Sequence, residues 1–333
     1  MNFSIIIPVF NRPDEVEELL NSLSKQTQKN FEVVIVEDGS TEKCEEVAIK
    51  YSEKLKIQYF YKENEKPAIA RNYGATRANG EYFLFFDSDC IIPRTYFEFV
   101  NKKLQENYTD AYGGPDTADP NFSILQKAIS YSMTSFFTTG GIRGGGEKLD
   151  KFYPRSFNMG ISKTAFEAIG GFPETKMHPG EDMVFSIEIL KHGFKTQRIE
   201  DAFVYHKRRN TLNTFFKQVY KFGKTRWIIT QKYPETFKIF FFAPSVFTLG
   251  TFLLLLLSIF SIYSILPIVI YTLLVFIDAL LKNKNILVAF ISIITSFIQL
   301  FAYGFGFLNS LFNINILKND EFGVLKNGFY TIL

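Results

Sequence analysis

Two aspartates separated by one serine follow the apolar run "YFLFF" (Tyr82–Phe86): Asp87, Ser88 and Asp89. Carboxylates this close repel, and each raises the pKa of its neighbour. A divalent cation removes that conflict. Hard oxygen donors suit Mg2+ or Mn2+, which bind one or two carboxylates and complete their shell with substrate phosphates. Two further apolar runs end in polar residues. Phe3–Val9 runs into "PVFNR" (Pro8–Arg12), and Phe31–Val36 into "EDGS" (Glu37–Ser40). Asp38 is placed to accept hydrogen bonds from a base or ribose. Arg71, in "AIARNYGA" (Ala68–Ala75), is a fixed positive charge suited to phosphate. A nucleoside diphosphate with its cation meets all three needs.

The elements that must position these residues alternate. The apolar runs are β-branched and continuous, as in strands buried on both faces. Between the first two, Val16, Leu19, Leu20 and Leu23 share one helical face behind Pro13 and Asp14. Thr41–Lys54 reads as a second helix, Ile57–Tyr61 as a third strand and Pro67–Ala78 as a third helix. This rhythm over residues 1–113 predicts an α/β fold: a mainly parallel sheet with flanking helices. Ligands of such sheets bind beyond the carboxyl ends of the strands, so the polar run-ends are expected along one edge. Farther on, Ile124–Phe137 and Asp182–His192 read as helices and Arg155–Ile161 as a strand. "TTGGIRGGGEK" (Thr138–Lys148) reads as a flexible loop. Within it, Gly140–Gly146 suits either a lid over a bound donor or a plain linker, and Arg143 is a further candidate for diphosphate.

Charge divides the 333 residues into three environments. Residues 1–206 carry a net −6, residues 207–238 a net +8 and residues 239–333 a net +1. Ile239–Ile277 has no charged residue over 39 positions, and Asn285–Leu317 none over 33. A span needs about 20 apolar residues. Residues 239–317 therefore read as about three transmembrane helices, the first two forming a hairpin that turns near Ser261–Pro267 and the third either crossing or re-entering, with 318–333 as a tail. Lys282 and Lys284, between the second and third, mark the cytoplasmic side. Residues 207–238 form a basic amphipathic segment. Leu212, Phe215, Phe216, Val219 and Phe222 fall on one helical face and Lys217, Lys221 and Lys224 on another, as expected of a helix resting on an anionic leaflet. Trp227 reads as an interfacial anchor. The N-terminal "MNFSIIIPVFNRPDE" lacks a signal-peptide pattern, so residues 1–206 are expected in the cytoplasm, anchored to an inner or plasma membrane by a multi-pass tail. Two cysteines, Cys44 and Cys90, exclude a disulfide framework, and the acidic body argues against nucleic acid.

"SIIIPVFNR", "VVIVEDGST", "AIARNYGA", "YFLFFDSD" and "GEDMVFSIEILKHGFK", in that order, resemble the motifs of glycosyltransferase family 2, whose fold is the GT-A type. The resemblance covers about residues 3–206, the expected catalytic domain. It implies that Pro8, Phe10 and Asp38 hold the nucleotide base and ribose, with Arg71 near base or phosphate. Asn11, Glu37 and Ser88 complete the donor-binding set on the same strand ends. Glu37 stands where the family usually has Asp. The resemblance makes Asp87 and Asp89 the pair on the sugar-nucleotide and its metal, His206 a further metal ligand, and Asp182 the catalytic base. Glu181, His178 and Asn158 are candidates for acceptor contact. Glu181–Asp182 also suit a helix N-terminus, where the dipole favours acids.

The chemistry expected is inverting transfer of a sugar from a nucleoside-diphosphate donor, a UDP-sugar by default, to a hydroxyl of a lipid-linked or membrane-proximal glycan. A metal neutralises the leaving diphosphate, and a carboxylate takes the proton of the attacking hydroxyl. A processive polysaccharide synthase is the alternative. "QVYKFGKTRW" faintly resembles the Q-x-x-R-W box of such enzymes, with the wrong spacing. A non-catalytic membrane scaffold that binds sugar-nucleotide is the other.

Overall fold

The computed structural model describes residues 1–140, 152–174, 177 and 179–317. Two compact units divide the chain. The first comprises Met1–Asp119, Leu149–Glu174 and Glu181–Lys207, and the second Pro120–Lys148, Thr175–Gly180 and Arg208–Leu333. The first unit's last segment ends at Lys207, and two inserts from the first half are grouped with the apolar tail. Arg143, most of the Gly140–Gly146 stretch, His178 and the tail from Lys318 lie outside the described residues.

In chain order the elements begin β1 (Phe3–Val9), α1 (Pro13–Ser24), β2 (Phe31–Asp38), α2 (Glu45–Tyr51), β3 (Ile57–Lys62), α3 (Pro67–Ala75), β4 (Tyr82–Phe86), β5 (Cys90–Ile91), α4 (Tyr96–Glu106), β6 (Ala111–Gly113) and β7 (Asp116–Thr117). Next come α5 (Ile124–Thr134) and α6 (Phe136–Thr139), which belong to the second unit. The first unit resumes with β8 (Asn158–Ser162), α7 (Lys163–Ile169), α8 (Glu181–Lys191), β9 (Thr196–Arg198) and β10 (Val204–His206).

Seven strands form the main sheet in the order β3-β2-β1-β4-β8-β6-β9. Only β8 among them runs against the rest. The chain moves outward from β1 through β2 to β3, then returns to place β4 on the other side of β1. Strand order therefore reverses beside β1, the place where α/β sheets open a ligand crevice. Alternation along β1 sends Ile5 and Ile7 to one face, with Leu19, Leu20, Phe97 and Val100. Ile6 goes to the other, with Ala70, Phe166, Phe172 and Phe185. A second, three-stranded sheet, β5-β10-β7, sets His206 opposite Cys90.

Three expected helices are shorter than their patterns, α3 ending at Ala75 instead of Ala78. Thr41 and Glu42 are not helical because their backbone N–H groups donate to Asn11 Oδ1, at 2.8 and 3.0 Å, so α2 starts only at Glu45. The helix expected to reach Phe137 breaks at Ser135, whose extended backbone also caps α6.

The second unit adds α9 (Leu212–Lys232), α10 (Ala243–Leu257), α11 (Leu266–Asn283) and α12 (Ile286–Asn315). Three stretches are long and apolar enough to cross a membrane: Ile239–Leu257, Ile262–Asn283 and Ile286–Asn315. The amphipathic helix expected at 207–238 exists as α9, but its apolar face is covered by protein. Phe215 and Val219 pack with Ala302 of α12 and with Ile129 and Met133 of α5. Glycines let α9 and α12 touch backbone to backbone. A Cβ on Gly223 would stand 2.1 Å from the Tyr303 carbonyl oxygen, and one on Gly306 2.0 Å from that of Tyr220. Trp227 is likewise no anchor exposed to an interface: it is buried, packs edge-on against Phe242 and Phe307, and donates from Nε1 to Asn315 Oδ1 at 3.2 Å. An amphipathic pattern shows that one face seeks apolar surroundings; it does not distinguish acyl chains from another helix.

Candidate active site

The carboxyl ends of β1, β2 and β4 lie on one edge of the first unit's sheet, as their parallel registers require. Phe10, just past β1, is half exposed, an apolar ring at the crevice. Pro8 is half-buried and paired in register with Val36. Asp38 is buried at the end of β2. Its Oδ1 accepts from Lys62 Nζ and from the Glu65 backbone N–H, both at 3.0 Å.

Past β4 the two aspartates turn to different partners. Asp87 Oδ1 accepts from Arg71 Nη2 at 2.8 Å. Asp89 Oδ2 meets Arg12 Nη1 at 3.1 Å, while its Oδ1 lies 3.0 Å from His206 Nε2. The His206 ring stacks on Phe157 with centroids 4.9 Å apart, and β10 fixes its backbone beside β5. Burial works against the charge of Arg12, but Asp89 and Glu15 outweigh it and raise its pKa. Ser88 is buried between the two acids.

Arg71 is 3% exposed and links two parts of the fold. One Nη holds Asp87; the other lies 3.4 Å from Glu181 Oε1 at the start of α8. Burial alone would lower its pKa, yet Asp87 and then Glu181 raise it. Asp182, next in α8, is buried. Its Oδ2 accepts from Arg155 Nε at 2.7 Å and its Oδ1 from the Met183 backbone N–H at 2.7 Å.

A model of glycosyl transferase family 2 matches residues 4–170, half of the chain. The chain belongs to glycosyl transferase family 2. It is 45% identical over 182 residues to an uncharacterized glycosyltransferase of Rickettsia typhi, covering 52% of this chain and 54% of that one. It is 36% identical over 152 residues to the poly(ribitol-phosphate) beta-N-acetylglucosaminyltransferase TarS of Staphylococcus aureus, covering 40% and 26%. Among solved structures, a mannosyltransferase of Pyrobaculum calidifontis in complex with GDP-Man and Mn2+ superposes with a TM-score of 0.59 at 15% identity, covering 94% of this chain and 87% of that one. This last likeness shows the fold. The chain spans between 15% and 54% of the length of the Rickettsia bellii and Rickettsia typhi relatives it matches.

The geometry of this family 2 chain revises several expectations. The aspartate pair does not depend on a cation to coexist, because Arg71 and Arg12 neutralise its members separately. Arg71 is closed off between two carboxylates rather than open to phosphate. Glu37 is fully buried. Its oxygens accept from Ser40 Oγ, the Cys44 backbone N–H at 2.9 Å, Cys44 Sγ at 3.0 Å and Tyr59 OH at 3.1 Å, so it ties the β2–α2 turn instead of facing a ligand. Asn11 stands at φ 54°, in the left-handed region that Asn tolerates, and its side-chain oxygen is occupied by Thr41 and Glu42. Asn158 is fully buried. Its Oδ1 accepts from Tyr96 OH at 2.6 Å and its Nδ2 donates to the Ala202 carbonyl at 2.7 Å, which leaves an acceptor no access. Glu181 is buried against Arg71, a positioning contact rather than an open one.

Arg12 and Arg155 escaped the sequence reading as site residues. Arg12 ended a quoted strand run, so its place was legible though its partner 77 positions away was not. Arg155 carried no local signal at all. Cys90 is the other addition: its Sγ, Asp89 and His206 offer donor atoms within 4.8 Å of one another.

These residues fit a divalent cation through two of the three. Adjacent ligands of an octahedral ion at about 2.1 Å lie about 3 Å apart, and Asp89 Oδ1 and His206 Nε2 are at 3.0 Å. Cys90 does not qualify. Burial pushes its thiol pKa far up, and the protonated sulfur donates to the Phe157 carbonyl at 3.5 Å.

Proposed function

We propose that this chain is an inverting, metal-dependent glycosyltransferase that moves a sugar from a nucleoside-diphosphate donor, a UDP-sugar, to a hydroxyl of a lipid-linked or membrane-proximal glycan. The observation that carries the reading is that one unit holds both halves of the chemistry: the Asp89–His206 pair, spaced for a cation, and Asp182 at the start of α8. The TarS relative is named for transfer of N-acetylglucosamine to poly(ribitol-phosphate), which supports an activated sugar as donor and a hydroxyl-bearing polymer as acceptor.

Phe10 offers a face to the base, and Asp38, held by Lys62, accepts from base or ribose. Asp89 and His206 would hold Mn2+ or Mg2+, which neutralises the charge growing on the leaving diphosphate. The imidazole donor favours Mn2+, since Mg2+ is the harder ion. Arg12 stays on the other oxygen of Asp89 and orients that carboxylate. Asp182 takes the proton of the acceptor hydroxyl from the side opposite the leaving group. It does so with Oδ2, so Arg155 must release that oxygen as the acceptor arrives. In this reading the apolar helices anchor the chain in a membrane, and the first unit is on the cytoplasmic side, where lysines such as Lys282 and Lys284 collect.

The test is a thermal-shift panel of UDP-, GDP- and dTDP-sugars with and without Mn2+, joined to a turnover assay of wild type and Asp182→Asn. Wild type should be stabilised by one nucleotide class only when Mn2+ is present, and should hydrolyse or transfer the sugar. D182N should keep the shift and lose about 10²–10⁴-fold in turnover. Equal turnover in both proteins would remove Asp182 from the chemistry. Binding with negligible turnover in both would leave a scaffold.

A further inference from the structure

By length and composition α12 looks like a third span, but its surroundings differ from those of α10 and α11. Of its 30 residues, 13 are buried, against three of 15 in α10 and two of 18 in α11. The buried residues include small and polar ones, Ser292, Thr295, Ser296, Gln299, Gly306 and Ser310, beside the apolar Val288, Leu300, Phe307 and Ile314. It packs on helices that carry charge. Near its start, Ala289 meets Tyr131 of α5, and Thr295 Oγ1 donates to the Ala128 carbonyl at 3.0 Å. Farther along, Ala302 meets Phe215 and Val219, Gly306 lies against Tyr220, and Phe307 and Asn315 meet Trp227. Contacts thus climb α9 and α12 together, from Phe215 to Trp227 and from Ala302 to Asn315. From Ala289 to Asn315 one side of α12 is covered for about 39 Å, more than the roughly 30 Å of a hydrocarbon core.

A crossing α12 would carry α9 into the hydrocarbon with it. In its 21 residues α9 holds Lys217, Lys221, Lys224, Arg226 and Lys232, and Lys217 and Lys221 are exposed. Such charges are expelled from the bilayer interior. The opposite face of α12 is apolar and open at Leu287, Phe290, Ile294, Phe305 and Phe312, a single helical stripe. The α10–α11 hairpin packs on α12 between Ala289 and Phe305: Ser245 Oγ and Thr248 Oγ1 donate to the Gly304 and Leu300 carbonyls at 3.3 and 3.4 Å, and Phe276 touches Phe290. Phe247 and Phe252 touch Phe301, Tyr271 touches Phe297, and Asp278 Oδ2 accepts from Tyr131 OH at 2.7 Å and pairs with Lys282 at 2.9 Å. Beyond those contacts, Leu253, Leu256, Ile259, Phe260, Ile262 and Tyr263 are exposed at the hairpin's tip.

We propose that α12 lies along the membrane surface rather than across it, with its aromatic stripe in the acyl chains and its buried face on α9 and α5. Only α10 and α11 enter the bilayer, as a hairpin that returns to its starting side, so α12 ends on the side of α9. This rests on the membrane reading given under Proposed function. It assigns the 30-residue helix a lipid partner on one face and a protein partner on the other.

Epitope tags at both ends of the full chain test it, with protease applied to spheroplasts and to sealed inside-out vesicles. The expected result is loss of both tags in inside-out vesicles and retention of both in spheroplasts. Loss of the C-terminal tag alone in spheroplasts means an odd number of crossings and overturns the proposal. Carbonate extraction separates the two readings. Release of the chain sinks the membrane reading itself, whereas a resistant chain with its tags on opposite sides sinks only the surface placement of α12.

Discussion

Arg71 shows what burial does to charge. A guanidinium 3% exposed between Asp87 and Glu181 is held by Coulomb attraction that outweighs its desolvation. Removing it leaves two carboxylates without that partner in a poorly solvated site, a change that typically costs about 3–5 kcal/mol. Arg71→Gln should therefore lower the melting temperature of the catalytic unit substantially; an unchanged melt would show that solvent reaches both acids. His206→Ala should abolish Mn2+-dependent stabilisation by the donor while the metal-free protein still folds, because no strand pairing depends on the ring. Glu32, at the amino ends of the strands, behaves differently. Burial works to raise its pKa, but the Asn79 backbone N–H, then Ser4, the Asn79 side chain and Gln58, bring it below the ordinary 4.5. A lowered folded pKa means that its stabilising contribution is present above the unfolded value and disappears as pH falls through the folded one. Glu32→Gln should lose about 1–3 kcal/mol at neutral pH and show a flatter acid limb in thermal unfolding. An acid limb as steep as wild type would assign the pH dependence to other carboxylates.

At the scale of elements, the strands that carry the site were readable in sequence because they are continuous, β-branched and long enough to show it. Tyr82–Phe86 was placed to the residue, and β2 ran only two residues past its predicted end. The small sheet was not readable. β5, β7 and β10 have two or three residues each, too few for any period, and yet β10 delivers His206 to Asp89. The direction of β8 was equally hidden, since an apolar run reads the same for parallel and antiparallel neighbours. The contact between α9 and α12 rests on two glycines, and Gly306→Leu puts a branched side chain where even a Cβ would stand 2.0 Å from a carbonyl oxygen. The expected outcome is separation of the helices, seen as quicker proteolysis within α9 in membranes. A wild-type cleavage pattern would mean that the close approach is dispensable.

For the whole molecule, the chain divides into two compact units with separate cores. Such chains depart from a single cooperative melt. Calorimetry in detergent should resolve two transitions. Donor with Mn2+ should raise only one of them, by an amount equivalent to about 2.7 kcal/mol at a ligand concentration 100 times Kd. A change of detergent should move the other. One transition shifted by both would show that the units unfold as one.

By itself the sequence determined the fold class, the family and which strand ends hold polar groups, because these follow from local apolar runs and ordered motifs. Only the tertiary structure decided what each polar group faces. Glu37 looked like a ligand and is a turn brace; Arg71 looked like a phosphate binder and is an internal counterion; the apolar face of α9 looked lipid-bound and is covered by α12. The reason is physical: a residue's type fixes what it needs, a proton, a charge or an apolar neighbour. Chain packing over tens to hundreds of positions chooses which partner meets that need.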